Sequence, residues 1–178
     1  MSDPTVLYEA RGSVALVTLN RPQALNSFTR QMHRELWEVL DRINGDKAIR
    51  VAVLTGAGRG FCAGADLAEF DFEPGPDLVR RADPGPVIEQ AFNPSIRKLM
   101  DLRVPTVAAV NGVAAGAGAS FAMACDLAIA AANASFIQAF SKIGLIPDAG
   151  GSWFLVKKLG LARAMGCAML GGKVGPQG

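Results

Sequence analysis

One histidine, one tyrosine and three cysteines are all that this 178-residue chain has of those residues, and each scarcity closes off a class of chemistry. Cys62, Cys125 and Cys167 are an odd number with neither CxxC nor metal-ligand spacing, so no disulfide framework and no metal site is read from them. Reduced thiols packed in the core of a cytoplasmic protein account for all three. The single imidazole, His33, falls on the polar side of a helical segment and is read as solvent-facing. That leaves no Ser-His-Asp arrangement, and Ser120 and Ser141 become packing or capping residues. No block of Lys or Arg stands out: 18 basic residues face 16 acidic ones, a formal net charge of +2, too balanced for a nucleic-acid partner. The first residues show no apolar stretch of the signal-peptide kind. Residues 104–125 are uncharged and long enough for a membrane span. Pro105, Asn111 and the many glycines and alanines there read better as two buried elements around a turn, so no membrane partner is expected. The chain has no internal repeat.

What the chain does have is apolar residues, 50% of the total, enough for one real core. Two β-runs, residues 5–11 and 13–20, flank Gly12. Phe28, Met32, Leu36, Val39 and Ile43 then recur at spacings of four, four, three and four, one face of an amphipathic helix with Ser27 as cap and Asn44-Gly45 as stop. Residues 51–55 form a short apolar strand. This rhythm predicts a mostly parallel, helix-covered sheet. Residues 71–86, rich in Pro, Gly, Asp and Arg, have no period and read as a loop. Helical spacing returns over 87–102 with a kink at Pro94. A further strand is expected over 127–131, a loop at Pro147-Asp148, and helix from Ala149 onward. The closing GGKVGPQG carries no packing signal.

Two strand-to-loop junctions built of small residues carry the chemistry. The first is GAGRGFCAGADL, residues 56–67; the second lies within TVAAVNGVAAGAGASFAMACD, residues 106–126. A phosphate loop of the Walker kind is excluded because no Gly-Lys-Ser/Thr follows. The dinucleotide fingerprint fails as well, with Phe61 and Phe121 at the third glycine position. Small residues at a loop or helix start leave backbone N–H groups bare and slightly positive, suited to an anionic oxygen. Donors from two loops that converge on one oxygen make an oxyanion hole.

The combination of GFCAGADL, NGVAAGAGASFAMACD and IGLIPDAGG, together with RPQALNSFT at residues 21–29, resembles the enoyl-CoA hydratase/isomerase (crotonase) superfamily from about Leu7 to about Leu170. The resemblance implies the α/β crotonase-like fold of repeated ββα units, with stacked sheets wrapped by helices. It implies an acyl-CoA thioester substrate, with coenzyme A entering as part of that substrate and no tightly bound cofactor. The oxyanion donors would be the backbone N–H groups of Ala65 and Ala117. Ala24, Ala63, Gly64, Asp66 and Leu67 would lie along coenzyme A, although an acid just before a helix, as Asp66 is, also suits a cap.

The two glutamates that family hydratases use align with Ser120 and Phe140, neither of which is an acid. The string SFIQAFSKIGLIPDAGGSWFL resembles the branch of isomerases from aerobic phenylacetate degradation, which places the catalytic carboxylate at Asp148. Read from the residues alone, Asp148 is equally a helix cap or a base whose pKa the neighbours Ile146, Phe140 and Trp153 raise. One carboxylate suffices for an isomerisation, whereas hydration would need an acid the sequence does not identify. The resemblance further implies C-terminal helices beyond Leu170 and a homotrimer or hexamer. Residues 1–178 therefore read as a single core domain without that helical segment, either an isomerase, a hydratase or an acyl-CoA-binding remnant. Such a core is expected to leave Leu161, Met165 and Met169 uncovered, to be poorly soluble, and to turn over slowly at best.

Overall fold

The computed structural model describes residues 3–70, 75 and 77–177. The two expected β-runs form strands β1 (Val6–Arg11) and β2 (Val14–Leu19), which pair antiparallel around Gly12. Helix α1 (Arg30–Gly45) follows, then β3 (Val51–Gly56) and β4 (Gly60–Cys62). Short helices α2 (Leu78–Arg81) and α3 (Gly85–Val87) interrupt the expected loop, of which residues 71–74 and 76 lie outside the described residues. Next come α4 (Asn93–Met100), β5 (Thr106–Val110), β6 (Val113–Ala115), α5 (Ala117–Ala124), β7 (Leu127–Ala130) and β8 (Ser135–Ile137). Helices α6 (Gly151–Leu159) and α7 (Leu161–Leu170) and strand β9 (Lys173–Val174) complete the order.

The strands sort into two sheets. One runs β1-β2-β3-β5-β7 and the other β4-β6-β8-β9. Each pair β3/β4, β5/β6 and β7/β8 sends its first strand to the larger sheet and its second to the smaller, so the ββα unit repeats in space as well as in order. All contacts among β2, β3, β5 and β7 are parallel, and so are those among β4, β6 and β8. A parallel sheet needs crossover connections, and the helices provide them. The tail departs from expectation: residues 173 and 174 pair antiparallel with Ile137 and Phe136. A two-residue strand is too short to leave a hydrophobic pattern to read.

Helix α1 buries Met32, His33, Leu36, Leu40 and Ile43. Leu40 takes the core place expected of Val39, which is half-buried beside it. The cap is Thr29, whose side chain accepts from the Met32 N–H at 3.2 Å, and not Ser27. The helix starts late because Phe28 is drawn into a parallel bridge with Ala65. His33 overturns its assignment to solvent: it is 1% exposed, stacked on Phe28 at 4.7 Å between centroids and edge-on to Phe92 at 4.3 Å. Its Nδ1 lies 2.7 Å from Ser95 Oγ, which also accepts the Trp37 Nε1–H at 2.6 Å. Burial lowers the imidazole pKa from 6.5 to about 4, so the ring is neutral.

Around Pro94, where a kink is expected, the helix changes its winding. Residues 88–92 form a π-turn that runs into α4, with Pro94 in the first turn of that helix. Proline has no N–H to donate four residues back, and the wider turn absorbs the misfit. Cys62 and Cys125 are buried in the core, and that burial pushes both thiols up to about 12, away from nucleophilic use. Cys167 is half-buried on α7. Among the described residues, no helix is long and apolar enough to cross a membrane, and no group of three or more His, Cys, Asp and Glu side chains converges as metal ligands would.

Candidate active site

The loop after β4 is held from behind. The Phe28 N–H donates to the Gly64 carbonyl at 2.7 Å, and the Phe28 carbonyl accepts the Asp66 N–H at 2.9 Å. In extended backbone the residue between two such bonds turns its own N–H to the opposite side. That residue is Ala65, and its N–H has no acceptor among the described residues. Asn26 fixes the same region from the RPQALNSFT segment. It is fully buried, its Oδ1 accepts the Arg21 N–H at 2.8 Å, and its Nδ2 donates to the carbonyls of Ala57 and Gly60, both at 2.9 Å.

The second loop ends at α5, whose first residue is Ala117. The preceding Gly116 has φ 51°, its N–H donates to the Ile137 carbonyl at 2.9 Å, and the Ala117 N–H has no acceptor among the described residues. The two loops are in contact. A Cβ added to Gly64, which has φ +95°, would stand 2.9 Å from the Ala115 carbonyl and 3.5 Å from the Ala117 nitrogen. A Cβ on Gly118 would meet the Cys62 carbonyl at 2.2 Å. Glycine at both positions is what lets the second loop close on the first.

Both bare N–H groups belong to residues on the wall of a cleft of about 950 Å³. Asp148 lies on the same wall. Its Oδ1 is buried without a hydrogen-bond partner among the described residues, and burial pushes its carboxyl up to about 6. The cap alternative is not realised: Gly150 is the N-cap of α6, and no side chain caps that helix. Of the three neighbours expected to enclose Asp148, only Phe140 is buried and faces the cleft; Ile146 is 81% exposed and Trp153 55% exposed.

Ala63, Gly64 and Leu67 line the cleft as well, while Ala24 and Asp66 are not on its wall. Ala24 closes a 3₁₀ turn beside it, and the next carbonyl, that of Leu25, accepts the Ala63 N–H at 2.9 Å. Asp66 caps the 3₁₀ turn at Leu67–Glu69 through the Ala68 N–H and pairs with Arg21 at 2.7 Å. Sequence reading missed Phe70, Phe92, Arg80 and Lys142, all on the wall. Phe92 is one of many core-like apolar residues by pattern, and the two cations sit in segments without period. The remaining carboxylates on the cleft, Asp77 and Asp83, are exposed, and Asp83 is engaged with the Gly85 N–H at 2.9 Å.

This geometry can be set beside known proteins. The Enoyl-CoA hydratase/isomerase family matches residues 9–178. The 1,2-epoxyphenylacetyl-CoA isomerase of Escherichia coli (strain K12) is 49% identical over 172 residues, covering 95% of this chain and 63% of that protein. A protein of Rhodobacter capsulatus named "Probable enoyl-CoA hydratase" is 43% identical over 177 residues, covering 99% of this chain and 65% of its own length. A crystal structure of an enoyl-CoA hydratase from Polaromonas sp. JS666 superposes with a TM-score of 0.84 at 34% identity, covering 97% of this chain and 65% of that one. The chain thus spans just under two thirds of the length of these relatives. By sequence and by fold, it belongs to the enoyl-CoA hydratase/isomerase (crotonase) family.

Proposed function

We propose that the site isomerises an unsaturated acyl-CoA thioester, with Asp148 as the base and acid and the Ala65 and Ala117 N–H groups as the oxyanion donors. Asp148 removes a proton from the carbon next to the thioester carbonyl, and the electron pair moves onto the carbonyl oxygen. Two N–H donors stabilise that enolate oxygen, and the proton then returns from Asp148 to a different carbon. No atom is gained or lost, so one carboxylate is enough. A carboxyl that titrates near 6 suits both halves of the transfer near neutral pH. The single observation that carries the reading is a half-buried carboxylate whose Oδ1 is enclosed without a hydrogen-bond partner, on the wall of the same cleft as the two residues with bare N–H groups.

The apolar wall that includes Phe70, Phe92 and Phe140 suits an aromatic or ring-derived acyl group, and the 49% identical relative is named for one. On that basis the substrate extends to a ring epoxide of phenylacetyl-CoA, opened to its oxepin isomer. Arg80 and Lys142 would meet the phosphates of coenzyme A. Hydration is disfavoured because Ser120 and Phe140 stand where family hydratases carry glutamate, and both lack an ionisable group. The test is a pair of rates for one preparation. Double-bond isomerisation of an unsaturated acyl-CoA should exceed hydration of crotonyl-CoA by roughly two orders of magnitude. Faster hydration would overturn the reading.

A further inference from the structure

Ser120 has a role that its serine chemistry alone does not suggest. The side chain is completely buried, and its hydroxyl donates to the main-chain carbonyl of Asp148 at 3.1 Å. The same carbonyl accepts the Gly151 N–H at 2.7 Å. The other bonds of the 144–150 segment are local, from Gly144 to Ser141, Leu145 to Phe140, and Trp153 and Phe154 to Gly150. Among the described residues, the Ser120 hydroxyl is therefore the one hydrogen-bonding group outside residues 139–155 that ties this segment to the fold. Gly151 leaves room for it, since a Cβ there would fall 2.6 Å from Ser120 Oγ.

The Asp148 carboxylate has no comparable anchor, because its Oδ1 has no partner. A carboxyl whose one hydrogen bond comes from its own backbone goes where that backbone puts it. Ser120 is three residues after Ala117 on α5, so the two share one face of one rigid helix. The helix that starts at the Ala117 N–H thus also holds the main chain of Asp148.

We propose that Ser120 is a positioning residue, its hydroxyl locking the Asp148 backbone to α5 so that base and oxyanion donor keep a fixed separation. This rests on the assignment of Asp148 as base. Misplacement of a reacting group by about an ångström costs up to about 100-fold in rate, and loss of one hydrogen bond permits a shift of that order without unfolding the domain.

The test is a set of variants compared by isomerase turnover and by amide hydrogen exchange. Ser120→Ala should lower kcat about tenfold or more while KM changes by less than about twofold, because binding contacts stay in place. Exchange should speed up at Gly151 and across residues 144–150 and stay unchanged in β1, β2 and β3. Ser120→Cys, a weaker donor of similar shape, should fall between, and it replaces the alanine variant if that one does not fold. In an Asp148→Asn background, Ser120→Ala should cost nothing further, since a residue that acts only through Asp148 has nothing left to position. A general structural role would instead lower the residual rate by the same factor in both backgrounds, and this outcome overturns the proposal. So does an unchanged kcat in Ser120→Ala and Ser120→Cys when Asp148→Asn is inactive. Near-normal turnover in Asp148→Asn would remove the assignment of the base itself, and the positioning role with it.

Discussion

At the scale of single residues, two titratable groups shifted by burial, one half-buried and one buried, differ in how legible they are in the sequence. Asp148 is half legible in the sequence: an acid ahead of a glycine pair suits a base or a cap equally. The fold removes the cap, since Gly150 takes the N-cap of α6, and it leaves Oδ1 without a partner among the described residues. His33 was not legible, because a lone histidine flanked by Met32 and Arg34 matches either side of an amphipathic helix. The aromatic neighbours that bury it, Phe28, Phe92 and Phe121, come from three separate segments. Its folded pKa of about 4 lies below the ordinary 6.5, so the unfolded chain takes up the proton first. Stability is then fully present above about pH 6.5 and is lost as pH falls through 6.5 towards 4, by up to about 3 kcal/mol. Asp148, whose pKa is raised, works in the opposite direction between 3.8 and about 6. A comparison of wild type with His33→Phe cancels that contribution. Chemical denaturation across this range should show a shallower acid loss in His33→Phe, and parallel curves would contradict the burial argument.

At the scale of elements, periodic segments were readable and tertiary detail was not. The stripe on α1 follows from side-chain period, and β2 is an apolar run, so the existence and type of both are legible, whereas the inward face of β2, Ala15, Val17 and Leu19, is not. Nor is the start of α1, because the bridge between Phe28 and Ala65 is a long-range event that competes with the local cap. Strand β9 was invisible because two residues are too few to leave a pattern. The two glycine-containing loops were readable as donor loops from their composition. Their contact depends on Gly64 and Gly118, where an added Cβ would run into backbone. Gly118→Ala puts a methyl group 2.2 Å from the Cys62 carbonyl, inside the junction of α5 with β4. It should cost about 2–4 kcal/mol in thermal or denaturant unfolding, at or above the usual range for overpacking, because backbone rather than a side-chain tip must move. Stability within 0.5 kcal/mol of wild type would show that the two loops are less closely packed.

At the scale of the whole molecule, the apolar surface outside the cleft is concentrated on the late elements. Leu161, Met165, Met169 and Leu170 of α7 are 49–78% exposed, and Leu127 and Ile129 on the edge strand β7 are 62% and 68% exposed. The spacing of four in α7 was legible, and its exposed face agrees with the expectation from sequence. Exposed apolar faces such as that of α7 drive association. In sedimentation, residues 1–178 should therefore run as oligomers or aggregates at micromolar concentration, and a monodisperse monomer would contradict this.

The central claim is that one cleft combines a proton-moving Asp148 with two N–H donors for a thioester oxygen. The most direct measurement is the exchange of carbon-bound protons beside the thioester of an unsaturated acyl-CoA with deuterium from solvent, followed by NMR. The account predicts enzyme-catalysed exchange whose rate falls about tenfold per pH unit below about pH 6, as Asp148 takes up its proton. In Asp148→Asn the exchange should drop by roughly two to four orders of magnitude. Exchange that persists in Asp148→Asn at the wild-type rate would contradict the claim.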